Sequence, residues 1–174
     1  RTIEIDKVAG SIRVRPATDK NELLLEADLP DTTKLMKVAE RVRSLFDLTA
    51  DPQEVASLLG RSEIFNRTLH QWPGLRVPGA WDGFELAVRA IQGQKVTVQG
   101  ATTMTGRIVQ RLGNAASPLQ DTELTHYFPS AEVLAKADLS GIGLTTARIT
   151  SIRRLAQLVS SGELRLDEAA DPTR

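Results

Sequence analysis

The chain has 174 residues, 41% hydrophobic and 25% charged, and its 22 basic and 22 acidic residues cancel to zero net charge. That balance belongs to a soluble globular protein of one or two small domains. It excludes a uniformly basic surface, and no run approaches the roughly 18 apolar residues that a membrane span needs. Cysteine is absent and only His70 and His126 are present, so disulfides and thiolate metal sites are excluded and no metal or cofactor is expected.

The first thirty residues alternate with period two. Ile12 and Val14 interleave with Arg13 and Arg15, a turn-rich PATDKN follows, and Leu23, Leu25, Ala27 and Leu29 then share one face. This predicts an antiparallel hairpin with one wet face, and Thr2–Val8 can add a further strand. At Pro30–Asp31 the period changes. Leu35, Val38, Ala39, Val42, Leu45 and Phe46 predict an amphipathic helix over Thr32–Phe46, capped by Asp31 or Thr32. Asp51-Pro52-Gln53-Glu54 then supplies a cap, a first-turn proline and a capping-box glutamate for a second helix ending near Gly60.

Beyond residue 60 only helical signals appear. Trp72–Gly79 reads as an extended connector, because each proline biases its predecessor away from helix. Asp82, with Glu85 three residues on, opens a helix whose buried face is Phe84, Ala87, Val88 and Ile91. After Gly93-Gln94-Lys95 the pattern resumes as a helix over Val96–Leu112, ending at Gly113. Asn114–Thr125 is a loop, Ser130 starts a short helix through Ala137, and Thr145–Val159 is a longer helix closed by Ser160-Ser161-Gly162. The expected class is α+β: residues 1–60 form an antiparallel sheet with helix, and residues 61–174 form an all-α unit that looks incomplete. The two histidines read as partly exposed structural residues. No leader precedes the strands and Arg1 stands where Met would begin a gene product, so the chain reads as an excised or processed cytoplasmic piece.

Charge is uneven despite the zero sum. Arg76, Arg89, Lys95, Arg107 and Arg111 against Asp82 and Glu85 give 5 − 2 = +3, and Arg148, Arg153, Arg154 and Arg165 against Glu163 give 4 − 1 = +3. Two segments lie within this basic half. Leu139-Ser140-Gly141-Ile142-Gly143 followed by Thr145–Ile149 has the spacing of a helix–hairpin–helix, whose glycines let amides at the next helix start face a phosphate, with Arg148 adding a charged contact. A tight corner with no ligand fits the same spacing. Gly93-Gln94-Lys95, a glycine-hinged turn with long side chains, suits insertion into a duplex where a base has been extruded; a plain polar corner is the alternative. Thr97, Thr102, Thr103 and Thr105 are further candidates for phosphate contact, with ordinary helix-surface residues as the alternative. Aromatic content of 4% argues against a single-strand stacking platform.

Together these segments resemble the bacterial 3-methyladenine DNA glycosylase II branch of the helix–hairpin–helix DNA glycosylases. The likeness is strongest over Pro73–Val98, PGLRVPGAWDGFELAVRAIQGQKVTV, with further likeness in Ser44–Val55 and Phe128–Leu166. The resemblance implies base-excision repair: double-stranded DNA carrying alkylated bases as partner, and hydrolysis of the N-glycosidic bond of a flipped purine in the bacterial cytoplasm, at the nucleoid. It makes Lys95, preceded by Gln94, the inserting residue, and with the residues read above the candidate DNA-binding set is Gly93, Gln94, Lys95, Thr97 and Arg148. Lys95 stands where the family inserts an apolar residue or glutamine; its methylenes fill the gap while its ammonium reaches a phosphate.

The family's catalytic aspartate follows its anchoring hairpin by about two dozen residues. Asp167 lies 167 − 141 = 26 residues after Gly141 and is one candidate. In the other alignment Gly141–Gly143 is an earlier corner, and both hairpin and aspartate lie beyond Arg174. The second is favoured, since the residues around Asp167 lack the family's aromatics and proline. The expectation is then a fragment supplying scaffold and inserting turn, inactive and at best partly folded alone, with homodimerisation open. Two other readings are a non-catalytic DNA-binding module of a damage-response regulator and a helical interaction domain without a nucleic-acid role.

Overall fold

The structure, a computed structural model, describes residues 1–116 and 124–166. Part of the expected Asn114–Thr125 loop, and Asp167, lie outside them. The chain forms two compact units: unit 1 is Arg1–Thr32 with Asp82–Arg174, and unit 2 is Thr33–Trp81. Its breaks therefore fall at residues 32 and 82, whereas the change of pattern in the sequence is near residue 60.

Unit 1 begins with a three-stranded antiparallel sheet, β1 (Thr2–Ile5), β2 (Val8–Pro16) and β3 (Leu23–Asp28), in that spatial order. Thr2–Val8 is not one strand. Asp6 and Lys7 both take positive φ, 48° and 65°, and reverse the chain in a two-residue turn whose twist suits a hairpin. Pairing sets Ile12 against Ala27 and Arg13 against Glu26. Ile3, Ile5 and Ile12 are buried, while Arg15 and Glu26 pair at 3.1 Å on the wet face.

Four helices complete unit 1: α4 (Gly83–Gly93), α5 (Val98–Leu112), α6 (Ala131–Lys136) and α7 (Thr146–Ser160). Each starts on an oxygen-bearing cap. Asp82 accepts from the Glu85 amide at 2.6 Å, Thr97 from Gly100 at 3.1 Å, and Ser130 and Thr145 from the amides of Val133 and Arg148, each at 3.4 Å. These bonds occupy amides that a helix start leaves without intrahelical partners. One core joins the four helices through Phe84, Val88, Ile108, Leu134, Leu139, Ile142, Ile152 and Ala156, with Phe84 and Phe128 in edge contact at 6.4 Å. The sheet is tied to the same unit by Thr2, whose hydroxyl donates to the His126 carbonyl at 3.0 Å, and by Arg1, which pairs with Glu85 at 2.6 Å.

Unit 2 holds α1 (Leu35–Leu45), preceded by a single 3-10 turn at Thr32–Lys34, then α2 (Pro52–Leu59) and α3 (Glu63–Gln71). Asp51 caps α2 through the Gln53 amide at 2.8 Å, with Pro52 at the first helical position. The sequence reading missed α3, whose Ile64 and Phe65 are 79% and 48% exposed and whose cap position, Ser62, makes no side-chain bond. The connector after Trp72 is extended as expected and is held down locally. Arg76 donates to the carbonyls of Asp47 and Ala50, Gly79 donates to Leu45 at 2.9 Å, and the Arg41 guanidinium lies 5.5 Å from the centre of the buried Trp81 ring.

Candidate nucleic-acid interface

All five expected contact residues lie on one part of unit 1. α4 runs to Gly93, Gln94 leaves the helix with extended ψ (121°), and Lys95 takes φ 55°. Gln94 and Lys95 are exposed, and Val98 at the start of α5 is 85% exposed. Across from them α7 starts at its Thr145 cap, and the Arg148 guanidinium donates to the Gln94 carbonyl. Residues 54 apart in sequence therefore meet, and the turn is joined to the helix after the glycine corner.

Two details differ from the sequence reading. Gly93 is helical, and a Cβ added there meets nothing within 4 Å, so the hinge is not glycine's; the left-handed residue is Lys95 itself. Helix α5 starts at Val98 and not Val96, because Thr97 is extended (φ −69°, ψ 154°) and serves as the cap. The hydroxyl of Thr97 is thereby committed to Gly100, while Thr102 and Thr103 donate to the carbonyls four residues back.

The Gly141–Gly143 corner does require its glycines, with φ of 73° and 100°. Leu139 and Ile142 anchor it in the core. Asp138, just before this corner, accepts from the Ser140 amide at 2.9 Å and hydroxyl at 2.7 Å, with Arg111 at 3.7 Å. The Ser140 bonds hold that carboxyl below the ordinary aspartate range. Arg107 and Arg111 reach from α5 to the carbonyls of Ile142 (3.0 Å) and Ser140 (2.7 Å), and Arg153 reaches Ala137 (2.9 Å). Much of the second half's basic charge is thus engaged with loop carbonyls, a pattern of long-range pairs that periodicity does not encode.

Beneath the turn lies a buried polar pair. Gln92 is fully buried, its Oε1 lies 2.5 Å from the Thr105 hydroxyl, and its Nε2 finds no partner; the same hydroxyl is 2.9 Å from the Ala101 carbonyl. One hydroxyl proton cannot serve two carbonyl oxygens. Turning the Gln92 amide over lets its Nε2 donate to Thr105 and Thr105 donate to Ala101, and leaves the oxygen unpaired instead. Either way one buried polar atom is unsatisfied. Gln92→Leu is therefore expected to leave stability within about 1 kcal/mol of the parent or raise it, because the orphan goes with the side chain. Thr105→Val, which strands the amide further, should cost about 1–3 kcal/mol. Urea unfolding of both variants checks this, and a large loss in Gln92→Leu would count against the account.

The remaining polar groups have structural partners. Glu85, 11% exposed at its side chain, pairs with Arg1 at 2.6 Å and Arg89 at 2.8 Å. His70 bonds the Asn66 carbonyl through Nδ1, and His126 lies 2.8 Å from the Thr125 hydroxyl. Among the described residues no three His, Asp or Glu side chains converge as a metal site, and no helix is long and apolar enough to cross a membrane.

Residues 1–82 match the AlkA N-terminal domain, a match that ends where the second stretch of unit 1 begins. Over 173 residues the chain is 35% identical to a probable bifunctional transcriptional activator/DNA repair enzyme AlkA of Mycobacterium tuberculosis, covering 98% of this chain and 34% of that protein. Over 167 residues it is 30% identical to DNA-3-methyladenine glycosylase 2 of Escherichia coli K12, covering 94% and 56%. Among solved structures it superposes on 3-methyladenine DNA-glycosylase from Archaeoglobus fulgidus with TM-score 0.76 at 20% identity, over 90% of this chain and 54% of that one. An 8-oxoguanine glycosylase/lyase of Clostridium acetobutylicum gives TM-score 0.69 at 15% identity, over 96% and 58%. At such identities the structural likeness speaks for the fold alone. The chain spans about a third of the length of the first relative and little more than half of the others.

Proposed function

We propose that the chain belongs to the AlkA-type branch of the DNA glycosylases, to which it is similar, and serves base-excision repair of alkylated purines, supplying scaffold and the DNA-inserting turn. The observation that carries this reading is the exposed Gln94–Lys95 turn, projecting from the end of α4 with Arg148 bonded behind it. Gly93, Gln94, Lys95 and Thr97 form the surface that meets duplex DNA, and Arg148 stands behind it on the Gln94 carbonyl. Lys95 enters the gap left by a flipped base, its methylenes against the neighbouring bases and its ammonium toward a phosphate. Hydrolysis of an alkylated purine needs a carboxylate near the sugar to stabilise positive charge and orient water. Asp51 and Asp82 are bound as caps, Glu85 by two arginines and Asp138 by Ser140. These engagements support the reading that the chain on its own releases no base. The carboxylate of Asp138 also stands at the corner where a phosphate would approach Gly141–Gly143, which supports reading this segment as a corner and not the anchoring hairpin. The reading carries with it a cytoplasmic, nucleoid-associated place of action and leaves homodimerisation open, which sedimentation tests.

The experiment is base release from duplex containing 3-methyladenine, run beside the E. coli relative, with binding to intact and abasic-site duplex followed against salt. The chain is expected to prefer the abasic duplex, with log K falling linearly in log salt by about 0.9 per phosphate contact, and to release nothing. Absence of salt-dependent binding would sink the reading. Base release abolished by Asp167→Asn would instead make Gly141–Gly143 the working hairpin. A second reading, a non-catalytic module of a damage-response regulator, is favoured by the engaged carboxylates and predicts equal affinity for intact and abasic duplex.

A further inference from the structure

We propose that Arg148 is a positioning residue for the inserting turn, acting through the Gln94 carbonyl and not as a phosphate ligand; this rests on the reading of the turn given above. The orientation of the peptide plane between Gln94 and Lys95 is set by ψ of the first and φ of the second. A donor fixed on that plane's carbonyl oxygen therefore holds both. Arg148 is that donor, and the conformation it holds, φ 55° at Lys95, is one that a residue with a Cβ disfavours.

Little else braces the turn. Gly93 contributes no side chain, the side chains of Gln94 and Lys95 are exposed, and the Val96 amide reaches the Gly93 carbonyl only at 3.4 Å. Arg148 is itself well placed to act as an anchor. It is half-buried on the first turn of α7, its amide is bound by the Thr145 cap, and the corner leading into α7 is held from α5 by Arg107 and Arg111. The bonds close a circuit that runs from the turn through α5 to the corner, into α7, and back to the turn through Arg148. Lys95 is thus presented by a braced loop, and the energy of ordering it need not be found when DNA arrives.

The test compares Arg148→Met and Arg148→Lys with the parent chain in two ways: amide hydrogen exchange of the turn without DNA, and salt-dependent binding to abasic and intact duplexes. In both variants the Lys95 and Val96 amides should exchange at least about threefold faster. Preference for the abasic duplex should fall by about tenfold, with the salt slope unchanged. Lysine retains the charge but not the planar fork, so it should not rescue. Unchanged exchange overturns the proposal, as does a slope reduced by about 0.9 with the abasic preference kept, which marks a direct phosphate contact. If the parent chain binds no duplex at all, the DNA reading falls while the exchange result still decides whether Arg148 holds the turn.

Discussion

Replacing Ile152 with alanine is expected to cost about 3 kcal/mol and to lower the unfolding midpoint of unit 1 by roughly 6–12 °C. Ile152 is completely buried in the cluster that joins α4, α5, α6 and α7, with Val88, Ile108, Leu134 and Leu139 also at zero exposure. Such a site is closed by side chains from several helices at once, so it cannot collapse around a missing sec-butyl group, and the lost transfer energy is joined by a cavity term. Ile152→Val removes one methylene and should cost only about 1 kcal/mol. Far-UV circular dichroism in urea reads both. A loss under about 1 kcal/mol for the alanine variant would mean that α7 is not seated on this core.

Glu85→Ala is expected to cost about 2 kcal/mol. Glu85 accepts from Arg1 at 2.6 Å and from Arg89 at 2.8 Å, and its side chain is only 11% exposed. Removing one partner of a buried ion pair costs about 3–5 kcal/mol when the survivor stays desolvated. Here the survivors, Arg1 and Arg89, are 35% and 45% exposed and regain water, so the smaller figure applies. Glu85→Gln keeps the volume and one acceptor and should cost about half as much. Thermal unfolding at low and high salt separates the two contributions: the alanine variant's deficit should persist in salt, since partly buried pairs are screened weakly. A deficit that vanishes in salt would show the triad to be an ordinary surface interaction.

The elements legible in the sequence were those decided by a few adjacent residues. Asp51, Asp82, Ser130 and Thr145 announced their helices because a cap needs only its own oxygen and an amide two or three residues on. The sheet was legible because alternation is local too, although the reversal at Asp6–Lys7 carried no glycine to mark it. What stayed hidden was set at a distance. Glu85 finds Arg1 across 84 positions and Arg148 finds Gln94 across 54, and neither spacing leaves a periodic trace. At the candidate site the five residues were named from the sequence, but the hinge was assigned to Gly93 when Lys95 carries it. Glycine advertises backbone freedom, whereas a lysine held left-handed by a remote arginine advertises nothing.

The two-stretch make-up of unit 1 also orders events during synthesis. A ribosome delivers β1, β2 and β3 first, then the whole of Thr33–Trp81, and only afterwards the helices that the strands belong with. Unit 2 is contiguous and can close on itself as it emerges. The nascent sheet must wait with its partners Glu85 and His126 still unmade, and among the described residues its outer strands are β1 and β3. The exposed acidic side chains of the outer strands, Glu4 on β1 and Glu26 and Asp28 on β3, discourage neighbouring chains from pairing there during that interval.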